Sequence, residues 1–474
     1  MEDLSRRHFL GLAAGTAAVA ASSACGSSSS GGTPSSSVPP APPSSGSAAP
    51  FDNVVLLTME NRSFDHLIGW FPNANGKQAG LSYQDKDGTA VATWDLGTDY
   101  QGCSYNIPAH QWQGMKIQWN DGEMDGWLQT GPVGDTYPVG YYTESAVPIT
   151  GFLARNFTLL DAYFPSLLAG TYPNEIYQHA AQTDTTTTGF FPGSPGWTVA
   201  SGTPGTPTGM STIKTLIWDR LKAAKLTGKY YQQGEPITGL FTWGPYPQIT
   251  QQPNFAQLAA AGGQNYQDIT TTYEQFRTDA KNGTLPNVSF LQPEWTTLAE
   301  VLGTSNDQHT WGSIQAGEKL IADVYNAIRT SPQANKTVFI LTWDEGGGFY
   351  DTVPPPQVAE DSSPGIPGGP SKNPNYKQLG TRVPCIVISP WSQAARVETR
   401  GPYEHCSTLR MIEWRWNLQP MTARDANARN LAEVLNFTTT NTNWPTLPAF
   451  TPAPDGQCTA NEASKRKSPP PLAG

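Results

Sequence analysis

Two apolar runs, each about the length of one strand, stop abruptly at polar side chains that ligate cations well. "VVLLTM" at 54–59 ends in Glu60-Asn61-Arg62, and "TVFILTW" at 337–343 ends in Asp344-Glu345 followed by three glycines. A strand apolar on both faces is buried on both, as in the middle of a parallel sheet. Similar but weaker patterns at 228–233 ("GKYYQQ"), 287–292 ("NVSFLQ") and 383–389 ("VPCIVIS") predict three further strands. Helical spacing is clearest in "TIKTLIWDRLKAAK" and "GEKLIADVYNAIRTS". Strands alternating with helices predict an α/β fold whose mostly parallel central sheet is flanked by helices. The Gly-, Pro- and Trp-rich stretches 98–150, 184–210 and 352–380 are too long for ordinary connections and read as surface or active-site insertions.

The carboxyl edge of an open α/β sheet is where ligands bind. If the two apolar strands are parallel and near neighbours, Glu60, Asn61, Asp344 and Glu345 converge there as hard oxygen ligands for one divalent metal cation, its identity left open. Gly346 to Gly348 let backbone and ligand approach closely. A third segment, "FTLLDAYFPSLLAGTYPNEIYQHAA", runs from a strand through Gly170 into a helix with Pro173 in its first turn. Thr171 is expected at the N-cap, where a hydroxyl ordinarily does no more than cap. The same position also suits a nucleophile, because the helix start favours both an alkoxide and an incoming phosphate. His110, His309 and His405 lie in polar, glycine-containing contexts, but each taken singly reads as a structural histidine. His66 is expected to bond within the opening turn, and His179 to be structural.

Composition changes the picture mainly at the ends of the chain. Residues 1–25 carry Arg6-Arg7, Phe9-Leu10 and a weakly apolar Ala/Gly stretch, the pattern of a twin-arginine export signal. Residues 26–50 form a Ser/Pro/Gly linker that cannot build a core. Cys25 sits between the two and is either lipidated or lies beside a plain signal cleavage near Ala24; Ser22 stands where a lipoprotein signal usually has Leu. The expected location is therefore outside the cytoplasm: periplasmic, secreted, or lipid-anchored at the cell surface. A catalytic domain is expected over 51–457 and a disordered tail over 458–474. Cys103, Cys385, Cys406 and Cys458 allow three disulfide pairings. With 39 acidic against 29 basic residues the net charge is −10, which argues against nucleic acid as a partner. The cluster Lys465-Arg466-Lys467 falls in the tail.

Seven blocks in order, "ENRSFDH", "QWNDGEMDGW", "LLDAYFPSLLAGTYPNE", "LPNVSF", "WDEGGGFYDTVPPP", "GTRVPCIVISPW" and "EHCSTLRMIE", resemble the phosphoesterases that include bacterial and plant non-haemolytic or non-specific phospholipase C and periplasmic acid phosphatases. The resemblance spans about Asp52 to Asn436 and implies an alkaline-phosphatase-like fold. It implies Thr171 as nucleophile, Glu60, Asn61, Asp344 and Glu345 as metal ligands, and His110, His309 and His405 contacting phosphate or moving protons. The implied substrate is a phospholipid or a small phosphate ester, with peripheral or lipid-anchored membrane association. The implied activity is phospholipase C-type phosphodiester hydrolysis; the alternatives are an acid phosphatase and a non-catalytic surface binding protein. The chain departs from the family pattern twice, with Gly346 where a His is usual and Glu175 where an Arg is usual.

Overall fold

In the computed structural model, which describes residues 41–182, 215–233, 269–295, 297–359 and 377–458, the two apolar runs are neighbours at the heart of one sheet. Among the described residues this sheet has eight strands: β1 (Asn53–Met59), β2 (Thr158–Leu160), β3 (Gly228–Gln232), β4 (Thr270–Thr272), β5 (Val288–Gln292), β6 (Thr337–Trp343), β7 (Cys385–Ile388) and β8 (Arg396–Glu398). Their spatial order is β8-β2-β7-β6-β1-β5-β3-β4. All run in one direction except β7, which is antiparallel to both β6 and β2. Every residue of β1, β5, β6 and β7 is buried. Helices on both faces force this, and unbroken apolar runs are the sequence solution to it.

The helix Ile314–Arg329 buries Ile314, Leu320, Ile321, Val324, Tyr325 and Ile328. It begins one turn before the periodic segment, because the Ser313 hydroxyl accepts from the Ala316 N–H and closes the first turn. The helix Ile217–Ala223 occupies the middle of its predicted pattern, of which residues 212–214 lie outside the described residues. The insertion 98–150 has structure of its own, including the helix Trp112–Trp119 and the start of the helix Pro148–Asn156. The insertion 184–210, residues 360–376 of the third insertion, the export signal with Cys25, the linker through residue 40, and residues 459–474 lie outside the described residues.

Of the three open pairings the fold forms one bond, Cys103–Cys458, and leaves Cys385 and Cys406 as buried thiols. The expected domain end at 457 is therefore one residue short, since Cys458 is covalently part of the fold. The residues around it are fixed as well. The Cys458 N–H donates to the Val301 carbonyl at 3.0 Å, and Gln101 exchanges hydrogen bonds with the Gly456 backbone. With a sequence separation of 355, the bond removes much freedom from the unfolded chain. Cys103→Ser should therefore lower unfolding free energy by about 3–5 kcal/mol. Denaturant melts of the two proteins would measure this, and equal midpoints would refute it.

Candidate active site

Parallel register places the ends of β1 and β6 side by side, with Met59 opposite Trp343. The Asp344 N–H donates to the Met59 carbonyl at 2.9 Å, and the Asn61 N–H donates to Asp344 Oδ1 at 2.8 Å. Asn61 achieves this at φ 59°, a left-handed conformation that Asn tolerates better than most residues. Gly347, at φ 65°, passes so close that a β-carbon there would sit 2.0 Å from the Asn61 carbonyl oxygen, so the turn excludes any side chain. At Gly346, where the family pattern has His, a β-carbon would meet Thr381 Cβ at 3.1 Å. A side chain there, a histidine included, would press on Thr381.

Glu60, Asp344 and Glu345 are all buried, and burial raises the pKa of each, Asp344 to about 7. Repulsion adds to it: Glu60 faces Asp344, Asp307, Glu175 and Glu300, and Glu345 faces Asp344. Glu175, one helical turn beyond Thr171, is pushed up by burial and by Asp344. Among the described residues Glu60 Oε1 has no hydrogen-bond partner. Carboxylates gathered in a dry site must be protonated or balanced by positive charge.

The Asn61 amide can turn either way. With nitrogen inward it donates to Glu345 Oε1 at 2.7 Å and to both Asp344 oxygens at 3.1 Å, while its oxygen accepts from His309 Nε2 at 3.0 Å. With oxygen inward it accepts from the Thr171 hydroxyl at 3.3 Å and adds an acceptor to the carboxylates, an arrangement that suits a cation. Among the described residues no three His, Cys, Asp or Glu side chains are already drawn together as a finished metal site. A cation held by Glu60, Asn61, Asp344 and Glu345 would have to draw the carboxylates inward.

The N-cap expectation for Thr171 is corrected. The cap is Gly170, and Thr171 is the first residue of the helix Thr171–Ala180. Its hydroxyl lies 3.4 Å from Glu60 Oε2 and 3.3 Å from Asn61 Oδ1. Three contacts set this position. The Asn174 side chain accepts from the Leu167 N–H and donates to the Ala169 and Gly170 carbonyls, shaping the loop that enters the helix. Thr58 of β1 donates to Gln178 at 2.8 Å, fixing the helix to the sheet. Gly170 abuts the His110 carbonyl, where a β-carbon would come within 3.0 Å.

The rings of His110 and His309 meet edge to face with centroids 5.3 Å apart. Burial lowers the pKa of both, His110 to about 4 and His309 to about 3. His110 Nδ1 is 2.8 Å from the Pro108 carbonyl, and His309 Nδ1 is 2.9 Å from Glu300 Oε1. His405 differs. Its Nε2 lies 2.7 Å from the Asp344 carbonyl and its Nδ1 3.3 Å from the Tyr163 hydroxyl, so both nitrogens face protein partners and the ring braces Asp344 from below. His66 bonds within the opening turn, to Arg62, and also to the Gly140 carbonyl. His179 packs among Trp218, Tyr230 and Phe290, the structural role expected of it.

Sequence reasoning did not single out Glu300, Asp307 or Arg62 for this site. Arg62 adjoined a quoted ligand pair, and its guanidinium holds the Gln308 carbonyl at 2.7 Å beside His309. Glu300 and Asp307 carry no local signal, because each becomes relevant only when the loop after β5 folds over the edge.

A model of the Phosphoesterase family matches residues 51–419. Non-specific phospholipase C3 of Arabidopsis thaliana is 29% identical over 443 residues, covering 86% of this chain and 78% of its own length. Phospholipase C A of Mycobacterium tuberculosis is 30% identical over 468 residues, covering 88% of this chain and 84% of its own. A solved protein of the alkaline phosphatase superfamily from Vibrio parahaemolyticus matches 82% of this chain and 71% of its own at 12% identity. Its TM-score of 0.35 is too slight to bear further weight.

Proposed function

We propose, on the premise that the chain belongs to the phosphoesterase family and hydrolyses phosphoester bonds, that it is a phospholipase C-type phosphodiesterase with Thr171 as nucleophile. The observation that carries this reading is the Thr171 hydroxyl. It starts a helix that Gly170 caps, and it faces Glu60 and Asn61 instead. Relatives named phospholipase C, about 30% identical over most of the chain, support a phospholipid diester as substrate.

In this reading Glu60, Asn61, Asp344 and Glu345 hold one divalent cation. The unpartnered Glu60 Oε1 and the two-way Asn61 amide fit such an ion. When bound, the cation supplies positive charge that favours the threonine alkoxide and the phosphoryl oxygens. Thr171 Oγ1 attacks phosphorus, and its proton passes to Glu60 Oε2, 3.4 Å away. The bond to the diacylglycerol oxygen breaks as that oxygen takes a proton from an imidazole, for which His309 and His110 are the candidates. Water then attacks the phosphothreonine and returns a proton to the imidazole. Thr171 leaves, recovers its proton from Glu60 and frees the phosphorylated head group.

Assaying the protein with added Mg²⁺, Ca²⁺, Mn²⁺ or Zn²⁺ against phosphatidylcholine and 4-nitrophenyl phosphate tests the substrate assignment. Faster turnover of the diester is expected; hydrolysis of the monoester alone would leave an acid phosphatase. Among the described residues no helix is long and apolar enough to cross a membrane, so membrane contact in this proposal is peripheral or through a lipid on Cys25. Export follows from the Arg6-Arg7 pair. Changing both to Lys should leave unprocessed precursor in the cytoplasm, visible by fractionation, and normal export of that variant would refute the assignment.

A further inference from the structure

The loop between β5 and the helix Ile314–Arg329 carries a pair of side chains whose contact has no precedent in the sequence motifs. Glu300 lies in the short helix Thr297–Leu302, buried to 2% exposure, and its Oε1 sits 2.9 Å from His309 Nδ1. The approach is at hydrogen-bond distance but not in line with an Nδ1–H bond. Such bonds at reaction sites are often misaligned before substrate binds and tighten in the complex. In the cation-free protein, with the Asn61 amide nitrogen facing the carboxylates, the opposite nitrogen of the ring, Nε2, lies 3.0 Å from the amide oxygen, and the amide nitrogen is 3.3 Å from Thr171 Oγ1. A single imidazole thus joins a buried carboxylate to the reacting hydroxyl's neighbour.

The contact is built rather than incidental. The chain reverses between the two residues through the Thr304 N–H to the Ala299 carbonyl and the Gly303 N–H to the Glu300 carbonyl. On the far side the Asp307 carboxylate accepts from the His309 N–H at 3.0 Å and fixes the backbone of the histidine. The helix itself is held from outside by the Cys458 N–H on the Val301 carbonyl. A carboxylate on one ring nitrogen orients the imidazole and leaves the other nitrogen to exchange protons.

We propose that Glu300 is the positioning residue for His309: it engages Nδ1 and so keeps Nε2 turned toward the Asn61–Thr171 pair, where it delivers the proton to the departing alcohol oxygen and takes one back from water. This inference rests on the phosphodiesterase reading above. As the phosphorus–oxygen bond breaks, the alcohol oxygen gains the Nε2 proton while Nδ1 takes the proton of the Glu300 carboxyl, so the ring stays neutral. In the second half, water's proton returns to Nε2 as its oxygen bonds phosphorus and the Thr171–phosphorus bond breaks, and Nδ1 hands its proton back to Glu300. A group acting this way matters when the leaving oxygen is strongly basic and matters little when it leaves readily as an anion.

The test compares dibutyroylphosphatidylcholine, an alkyl leaving group, with 4-nitrophenylphosphorylcholine, an aryl one, in the full-length metal-supplemented protein. Glu300→Gln should lower kcat on the alkyl ester about 100-fold, and on the aryl ester at least tenfold less, with KM changed less than kcat. Glu300→Asp, which keeps the carboxylate, should recover part of the alkyl rate. His309→Ala should give the same leaving-group pattern, and the double variant should be no worse than His309→Ala alone. Equal losses on the two esters, or additive losses in the double variant, would show that Glu300 only supports the fold. If His309→Ala shows the pattern and Glu300→Gln does not, the Glu300 assignment alone fails. If His309→Ala affects both esters alike, the imidazole is not the proton donor and the inference falls with it. A wild type that turns over neither probe would remove the phosphodiesterase reading and this inference together. Thermal melts of each variant separate unfolding from lost chemistry.

Discussion

Thr171→Ala should abolish turnover while the protein stays folded. A nucleophile removed from a two-step transfer leaves no route through the covalent intermediate, and losses of about a thousandfold or more are usual. Stability should scarcely change. Gly170, not Thr171, is the cap, so the substitution removes no capping bond and places a good helix former at the first helical position. Thr171→Ser keeps a hydroxyl and should retain part of the rate. Wild-type enzyme quenched during turnover should carry phosphate on Thr171, detectable by mass spectrometry. A Thr171→Ala variant within about tenfold of wild type, a loss of only ~1.4 kcal/mol, would eliminate covalent catalysis at this residue.

Removing divalent cations should abolish activity and, separately, make stability fall as pH rises. The carboxyls of Glu60, Asp344 and Glu345 have folded-state pKa values raised above their ordinary ones, chiefly by burial, Asp344 to about 7. A group raised in this way binds its proton more tightly in the native state. Its contribution is full below the unfolded pKa of about 4 and is lost as pH rises through the folded value. Metal-free protein should therefore melt at a lower temperature at pH 8 than at pH 5. A bound cation substitutes for those protons, so the gain in melting temperature on adding it should be larger at pH 8. At 100 times its dissociation constant a ligand adds about 2.7 kcal/mol, enough for a clear shift. A chelated protein with full activity and a cation-independent melt at pH 8 would overturn the four-ligand assignment.

Much of this site was legible in the sequence because it sits where strands end. The residues after Met59 and Trp343 are fixed by the length of two apolar runs, and neighbouring parallel strands bring such ends together. The pairing of those strands was only conditional in the sequence, because periodicity says that a strand is buried and not which strand lies beside it. Thr171 was misassigned by one position. Whether a residue is cap or first turn depends on a single backbone rotation, and here Asn174 sets it by bonding back to the loop. His405 looked like its fellow histidines until the fold gave both its nitrogens to Asp344 and Tyr163.

By itself, then, the sequence determined the α/β class, the central strands, the family and the identity of the oxygen-bearing residues at the sheet edge. All of these depend on local composition or on motifs a few residues long. Only the tertiary structure decided that Cys103 bonds Cys458, that Gly347 has no room for a side chain, that Glu175 adds a buried carboxylate beside Asp344, and that Glu300 meets His309. Each of these depends on packing between segments that are distant along the chain, or on how a loop folds back on itself. Loop paths are chosen by the summed burial and hydrogen bonding of the whole domain, which no short stretch of residues encodes.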